Sequence, residues 1–332
     1  MIMIQNRTKN KRALILGITG QDGALMAKLL LQKSYKVFGQ SREKSIAKLS
    51  NLNLLKVKPK INLKYFSLLD KKQLIRAIDE IEPDEIYNFS GQSSVGKSFD
   101  IPRETAESIE LTTKNVLDAI VDLDTTIRFF NAGSGECFGD TNGIPANENT
   151  PFKPNSPYAE SKVVASNFIS KYREKFSIYV CTGIFFNHES QLRHKNFVTM
   201  KIVNAAINIK KGLQSKIILG NINVSRDWGW AEEYMNAAWL MLNRKNPEDL
   251  IIATGISQSL CDLGREIFSE AGLNFDEYLE IDKSQYRKNE TISQLADISK
   301  AKKLLSWNPK YVGEQLAKKI YQETYRLKAN YE

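Results

Sequence analysis

The strongest constraint on this chain is a rhythm of short apolar runs and helical stretches that persists to about residue 186. Residues 12–17, 35–39, 63–66, 85–89, 126–132 and 179–186 have the length and character of strands, and 101–121 and 158–173 read as helices. Strand, helix and strand in succession imply crossover connections, hence a parallel sheet with helices on both faces. Strands buried on both faces are apolar throughout, as Ala13-Leu14-Ile15-Leu16 and Ile184-Phe185-Phe186 are. The predicted class is α/β, a doubly wound parallel sheet. After residue 187 the rhythm loosens. Stretches 197–211 and 230–242 read as helices, 217–219 and 251–253 as short strands, and the tail after 299 as helical. A length of 332 residues suits two units of about 150 each. No repeat and no Pro- or Ser-rich linker separates them. The expected division is 1–186 and 187–332, packed across a cleft, with parts of the second returning to the first.

Composition narrows the function classes. With 42% hydrophobic and 26% charged residues, the chain is neither a disordered polymer nor a disulfide-stapled module. No apolar run approaches the roughly 18 residues of a membrane span, and the polar, basic start has no signal-peptide character. Cys137, Cys181 and Cys261 are far apart and odd in number, which argues for a reducing, cytoplasmic setting. The net charge of +9 comes from scattered lysines without an arginine-rich or aromatic-basic stripe, so neither nucleic acid nor membrane is an expected partner. With only His188 and His194, no metal site is expected.

Four segments carry chemistry. Gly17-Ile18-Thr19-Gly20-Gln21-Asp22-Gly23 joins the first strand to the first helix. Glycines there permit a tight turn and close approach of backbone to a pyrophosphate at the helix N-terminus, although a purely structural turn also accounts for them. The second strand ends Gly39-Gln40-Ser41-Arg42, with a cation and no carboxylate. That favours NADP over NAD; alone, Arg42 is also an ordinary solvated charge. In Ser156-Pro157-Tyr158-Ala159-Glu160-Ser161-Lys162, the serine is a natural N-cap, and Pro157 suits the first helical position. Tyr158 and Lys162 then share a helix face, and Tyr158 is the one tyrosine of 13 with a lysine four residues on. A nearby ammonium and the positive helix end are expected to lower the phenol's pKa and make it a useful base. Finally, Ser134 and Glu136 follow the strand 126–132, and extended backbone would turn both toward one site. A hydroxyl beside a tyrosine base suits alcohol oxidation, and the carboxylate suggests a second proton transfer.

With these motifs the chain resembles the extended short-chain dehydrogenase/reductase superfamily of Rossmann proteins, and within it the GDP-mannose 4,6-dehydratases. Asn187-His188-Glu189-Ser190, Phe197-Val198-Thr199, Arg226-Asp227-Trp228-Gly229 and a tail with Arg287, Glu290, Asp297 and Lys300-Ala301-Lys302 carry the likeness from about residue 12 to 309. The resemblance implies that Tyr158 takes the proton of the sugar 4-hydroxyl and that Ser134 bonds the 4-oxygen. It implies that Lys162 supports Tyr158 and binds the nicotinamide ribose, so that Tyr158 and Lys162 also belong to the cofactor site. It implies that Glu136 removes the carbon-5 proton and delivers it to the departing 6-hydroxyl, while hydride moves from carbon 4 to NADP and back to carbon 6. It places Gly17, Thr19, Gly20, Gln21, Asp22 and Gly23 at the cofactor, with Arg42, Ser67 and Leu68. Phe89, Ser90, Gly91, Gln92, Ser93, His188 and Arg193 match further cofactor positions. Ser93, Asn187, Val198, Lys201, Gly220, Arg226, Arg287 and Glu290 would line the GDP-sugar pocket, the two arginines facing the diphosphate. A homodimer or homotetramer is the implied assembly.

The chain departs from the family's pattern at several places. Ser134-Gly135-Glu136 stands for Thr-Ser-Glu, Ser67 for an aspartate, Leu192 for an arginine, and Ser94 and Trp230 for histidines. These leave open a GDP-manno-heptose substrate with the same chemistry, or a GDP-sugar 4-oxidoreductase or epimerase.

Overall fold

A computed structural model describes residues 10–45, 49–286 and 289–329. Its strands are β1 (Arg12–Leu16), β2 (Lys36–Ser41), β3 (Asn62–Tyr65), β4 (Glu85–Asn88), β5 (Arg128–Ala132), β6 (Val180–Phe185), β7 (Asn187–Glu189), β8 (Ile217–Leu219), β9 (Ser225–Trp230), β10 (Leu250–Ile252), β11 (Ser257–Ser259) and β12 (Leu279–Ile281). Seven form one sheet in the order β10-β6-β5-β4-β1-β2-β3, every neighbour parallel. Strand order reverses between β1 and β4, and in such sheets ligands gather beyond the carboxyl ends at that point.

The apolar character of β1 follows from its place. Ala13 and Ile15 face a core that includes Tyr87, Phe130 and the helices Gln21–Gln32 and Ala231–Leu242. Leu14 and Leu16 face the opposite core, built with Ile86, Phe129 and the helices Lys71–Ile81 and Thr112–Leu123. Alternate side chains point to opposite faces, and both faces are covered. The helix Ala231–Leu242 and strand β10 come from the second half of the chain yet complete the first sheet and its core.

A further core gathers the helices Val198–Lys210, Leu260–Glu270 and Glu314–Ala329 around Val203, Ile267 and Ile320. Beside it lie a small sheet of order β11-β9-β7 and the pair β12-β8. Two helical readings need correction. The stretch 101–121 starts at Pro102 and carries a π turn at Glu107–Leu111 before Thr112–Leu123. The tail is two helices, Ser299–Leu305 and Glu314–Ala329, because Pro309 cannot donate to a helical ladder and forces its predecessor out of helix. Among the described residues no helix is long and apolar enough to cross a membrane, and no group of three or more metal-ligating side chains forms.

Candidate active site

The glycine turn is built by close approach. Gly17 has φ +75°, and a Cβ there would lie 2.8 Å from the Ser90 Cα. A Cβ on Gly23 would lie 2.4 Å from the Gly17 carbonyl oxygen, so the helix Gln21–Gln32 can start this near the strand only with glycine. Gly20 is the N-cap, and no side chain caps the helix. Its leading N–H groups therefore present the positive end of the helix beyond β1, which suits a phosphate. Two polar side chains brace this turn. The buried Gln40 accepts from Gly17 N–H at 3.3 Å and donates to the Phe66 carbonyl at 2.7 Å. Asn51 donates to the Thr19 carbonyl at 3.1 Å. Arg42 is exposed just past β2, and Ser67 and Leu68 just past β3, on the same carboxyl edge of the sheet.

Past β5 the chain does not stay extended. Ser134 caps a 3-10 turn, Gly135–Phe138, its hydroxyl accepting from Glu136 N–H at 3.2 Å. Ser134 and Glu136 nevertheless line one cavity of about 780 Å³ with Tyr158 and Lys162. Ser156 caps the helix Pro157–Phe176, accepting from Ala159 N–H at 3.2 Å, which fixes Tyr158 in its first turn. One turn later the buried Lys162 donates to the Ala132 carbonyl at 2.7 Å, its Nζ 5.8 Å from the centre of the Tyr158 ring.

The electrostatics correct one sequence expectation. Burial raises the Tyr158 phenol above its ordinary value; the Ser134 hydroxyl pulls it down, while Cys137 and Glu136 push it up further. The net shift is thus upward where a lowering was expected, and burial disfavours the Lys162 ammonium too, bringing it down to about 8. Burial likewise pushes the Cys137 thiol up to about 12.

The same cavity is lined from the carboxyl edge of the sheet and the glycine turn by Asp22, Phe89, Ser90, Gly91, Gln92 and Ser93, and by Asn187, His188 and Arg193. From the second half come Val198, Lys201, Gly220, Arg226 and Glu290. Arg226, on β9, lies with Nε 4.0 Å from Glu136 Oε1, so the guanidinium expected at a diphosphate also neighbours the carboxylate. The next residue, Asp227, is fully buried and accepts from Thr254 N–H, Thr254 Oγ1 and Gly255 N–H, each at 2.7 Å. Burial pushes its carboxyl up to about 6 against these bonds. Asn221 donates to Glu290 Oε2 at 3.1 Å. Arg287 lies outside the described residues.

Sequence reasoning did not reach Gln40, Asn51, Asn221 or Lys97, which lines the cavity from the helix Val95–Ser98. Gln40 and Asn221 adjoin or fall within motifs already singled out; Asn51 and Lys97 carry no local signal.

The sequence profile of the GDP-mannose 4,6 dehydratase family matches residues 14–320. The chain belongs to that family. It is 42% identical to GDP-mannose 4,6 dehydratase 1 of Arabidopsis thaliana, over 96% of this chain and 90% of that one. It is 38% identical to the GDP-mannose 4,6-dehydratase of Yersinia enterocolitica, over 92% and 91%. Among solved structures, a dTDP-glucose 4,6-dehydratase from Bacillus anthracis, in complex with NAD, superposes with TM-score 0.83 at 19% identity, over 95% of this chain and 97% of that one. A UDP-glucose 4-epimerase from Thermotoga maritima, with UDP-glucose, gives 0.85 at 18%, over 97% and 100%. Both likenesses are of fold alone.

Proposed function

We propose that the chain dehydrates GDP-mannose to GDP-4-dehydro-6-deoxy-mannose, with NADP held along the carboxyl edge of the sheet. The observation that carries this reading is the meeting of Ser134, Glu136, Tyr158 and Lys162 in one cavity lined from both halves of the chain. The uncapped helix behind Gly20 suits the cofactor diphosphate. The cation Arg42, with no carboxylate between Gly39 and Arg42, favours the 2′-phosphate of NADP. When bound, the nicotinamide would accept hydride from carbon 4, return it to carbon 6 and, while oxidised, add positive charge near Tyr158.

Each remaining step falls to a side chain. Tyr158 takes the 4-hydroxyl proton, and Ser134 holds the oxygen as it becomes a ketone. Lys162 keeps the Tyr158 helix against the end of β5 through Ala132. The new ketone acidifies carbon 5, whose proton passes to the Glu136 carboxylate. Glu136 then gives that proton to the 6-hydroxyl, which leaves as water. As carbon 6 takes the hydride back, a solvent proton replaces the one lost from carbon 5, and Tyr158 returns its proton to solvent. Each acid–base role contributes roughly two to four decades of rate. Val198, Lys201, Gly220, Arg226, Arg287 and Glu290 are assigned to the GDP-sugar. The division 1–186 and 187–332 separates a mainly cofactor-binding part from a mainly sugar-binding part. A homodimer or homotetramer in a reducing cytoplasm, without nucleic acid as partner, completes the proposal.

Incubation with GDP-mannose and no added reductant tests it: mass spectrometry should find a product lighter by one water. An unchanged mass from GDP-mannose beside dehydration of a GDP-manno-heptose would move the substrate assignment. A 4-epimer of unchanged mass would remove the role of Glu136.

A further inference from the structure

Both ring nitrogens of His188 face oxygens. Nδ1 lies 2.8 Å from the Phe186 carbonyl oxygen, and Nε2 lies 3.1 Å from Asp22 Oδ2. A carbonyl and an ionised carboxylate only accept, whereas a neutral imidazole has a single N–H and would set a lone pair against one of them. The ring is held where it is: it stacks on Tyr234 at 4.8 Å between centroids and meets Phe185 edge-on at 5.2 Å. Gln21 closes the circuit. Its amide donates to Asp22 Oδ1 at 2.9 Å and to the His188 carbonyl at 3.2 Å, and its oxygen accepts from Ser190 Oγ at 2.8 Å.

We propose that His188 is a positioning residue that stays doubly protonated, its imidazolium–Asp22 pair latching the glycine turn to the strand β7 that carries Asn187. The charge state stands on geometry alone; its consequence for a dinucleotide rests on the cofactor reading above. Asp22 and His188 direct their charged atoms at each other, so they act on the cofactor through the placement of the turn and of β7.

The charged and titratable groups around the ring come from several elements. Asp22 lies on the helix Gln21–Gln32, Glu189 on β7, Arg193 in the loop beyond it, and the Tyr234 phenol on the helix Ala231–Leu242. Lys162 faces Asp22 from the helix Pro157–Phe176. Burial opposes charge on His188, as does Arg193, yet the Asp22 carboxylate outweighs them and holds the ring's pKa above its ordinary value. Burial also opposes charge on Asp22, but His188 brings it down to about 2. The two signs bound the latch. A raised histidine contributes stability that is full below its unfolded pKa and lost as pH rises through the folded value. A lowered carboxyl contributes stability present above its unfolded pKa and lost only as pH falls toward about 2. The latch is therefore closed in mild acid and opens on the alkaline side.

Nitrogen-15 NMR of the histidine rings in the chain alone reads the charge directly, with His194→Gln assigning the second ring. The expected result is a His188 ring protonated at both nitrogens at neutral pH, with its titration midpoint moved down in Asp22→Asn. A ring singly protonated at neutral pH overturns the proposal. NADPH affinity, followed by fluorescence, should fall about tenfold per pKa unit separating the bound and free rings as the ring titrates. Its midpoint should move with the NMR midpoint in Asp22→Asn. An affinity midpoint that stays fixed while the NMR midpoint moves overturns the positioning role. A doubly protonated ring in a chain that never binds NADPH sustains the latch and refutes the cofactor reading alone.

Discussion

Tyr158 and Glu136 share a cavity with different tasks, and single substitutions separate them. Tyr158→Phe removes the proton acceptor and keeps the ring. Turnover should drop by roughly two to four decades with GDP-mannose binding by calorimetry intact, and undiminished turnover would remove Tyr158 as the base. Glu136→Gln should still oxidise carbon 4, giving a transient rise in nicotinamide absorbance, but release no water; normal dehydration by this variant would remove the glutamate from the mechanism. Lys162 sets the alkaline limit. With burial holding its pKa at about 8, its charge is lost above that pH, and activity should decline there on the pH–rate profile. Stability moves the other way: between about 8 and the ordinary 10.5 the unfolded chain binds more protons, so this residue's contribution rises with pH. The residue types and spacings of this group were legible in the sequence. Tyr158's raised pKa was not, since it depends on how much water the folded cavity removes from the phenol, which no local spacing encodes.

Elements differ in how plainly the sequence announces them. Strands β1 and β6 were the most readable because helices cover both faces and their side chains are nearly all apolar. Strands β2 to β5 mix polar with apolar residues and were read from their apolar pairs and their spacing between helices. Strands β7, β9 and β11 were not read as strands: β7 and β11 have three residues each and β9 mixes charge with tryptophan, so none offers a period. Yet β9 brings Arg226 beside Glu136. The helix Pro157–Phe176 depends on its cap. Ser156→Ala leaves the Ala159 N–H without its acceptor and should cost about 1 kcal/mol in chemical denaturation. It should lower kcat more than it raises KM, because Tyr158 stands in the freed turn. Phe130 is fully buried where β5 meets Tyr87, Phe89 and Phe185, and Phe130→Ala should cost about 3–5 kcal/mol in the same measurement. A loss near zero would mean that the sheet is not the core of this fold.

The whole molecule is one continuous construction. The chain leaves the sheet after β6 and starts the small sheets and the second helical core with β7, the helix Val198–Lys210, β8 and β9. It returns with the helix Ala231–Leu242 and β10 to close the first sheet; β11, β12 and the helices Leu260–Glu270 and Glu314–Ala329 then complete the second part. The cavity exists because of that path: β5, β6 and the Tyr158 helix supply one wall, while β9 and the helix Val198–Lys210 supply the other. The alternation of strands predicted the sheet, and a cleft between halves followed from the loosened rhythm after residue 187. The order in which distant segments return was hidden, because contacts between residues such as Arg226 and Glu136 leave no mark in either segment alone. The central claim is that one hydride leaves and returns within a single substrate molecule. GDP-mannose carrying deuterium at carbon 4, incubated in ordinary water with the protein and NADP, tests it most directly. Deuterium recovered at carbon 6 of the dehydrated product is the expected result. Dehydrated product whose carbon 6 is filled only from solvent would contradict the account.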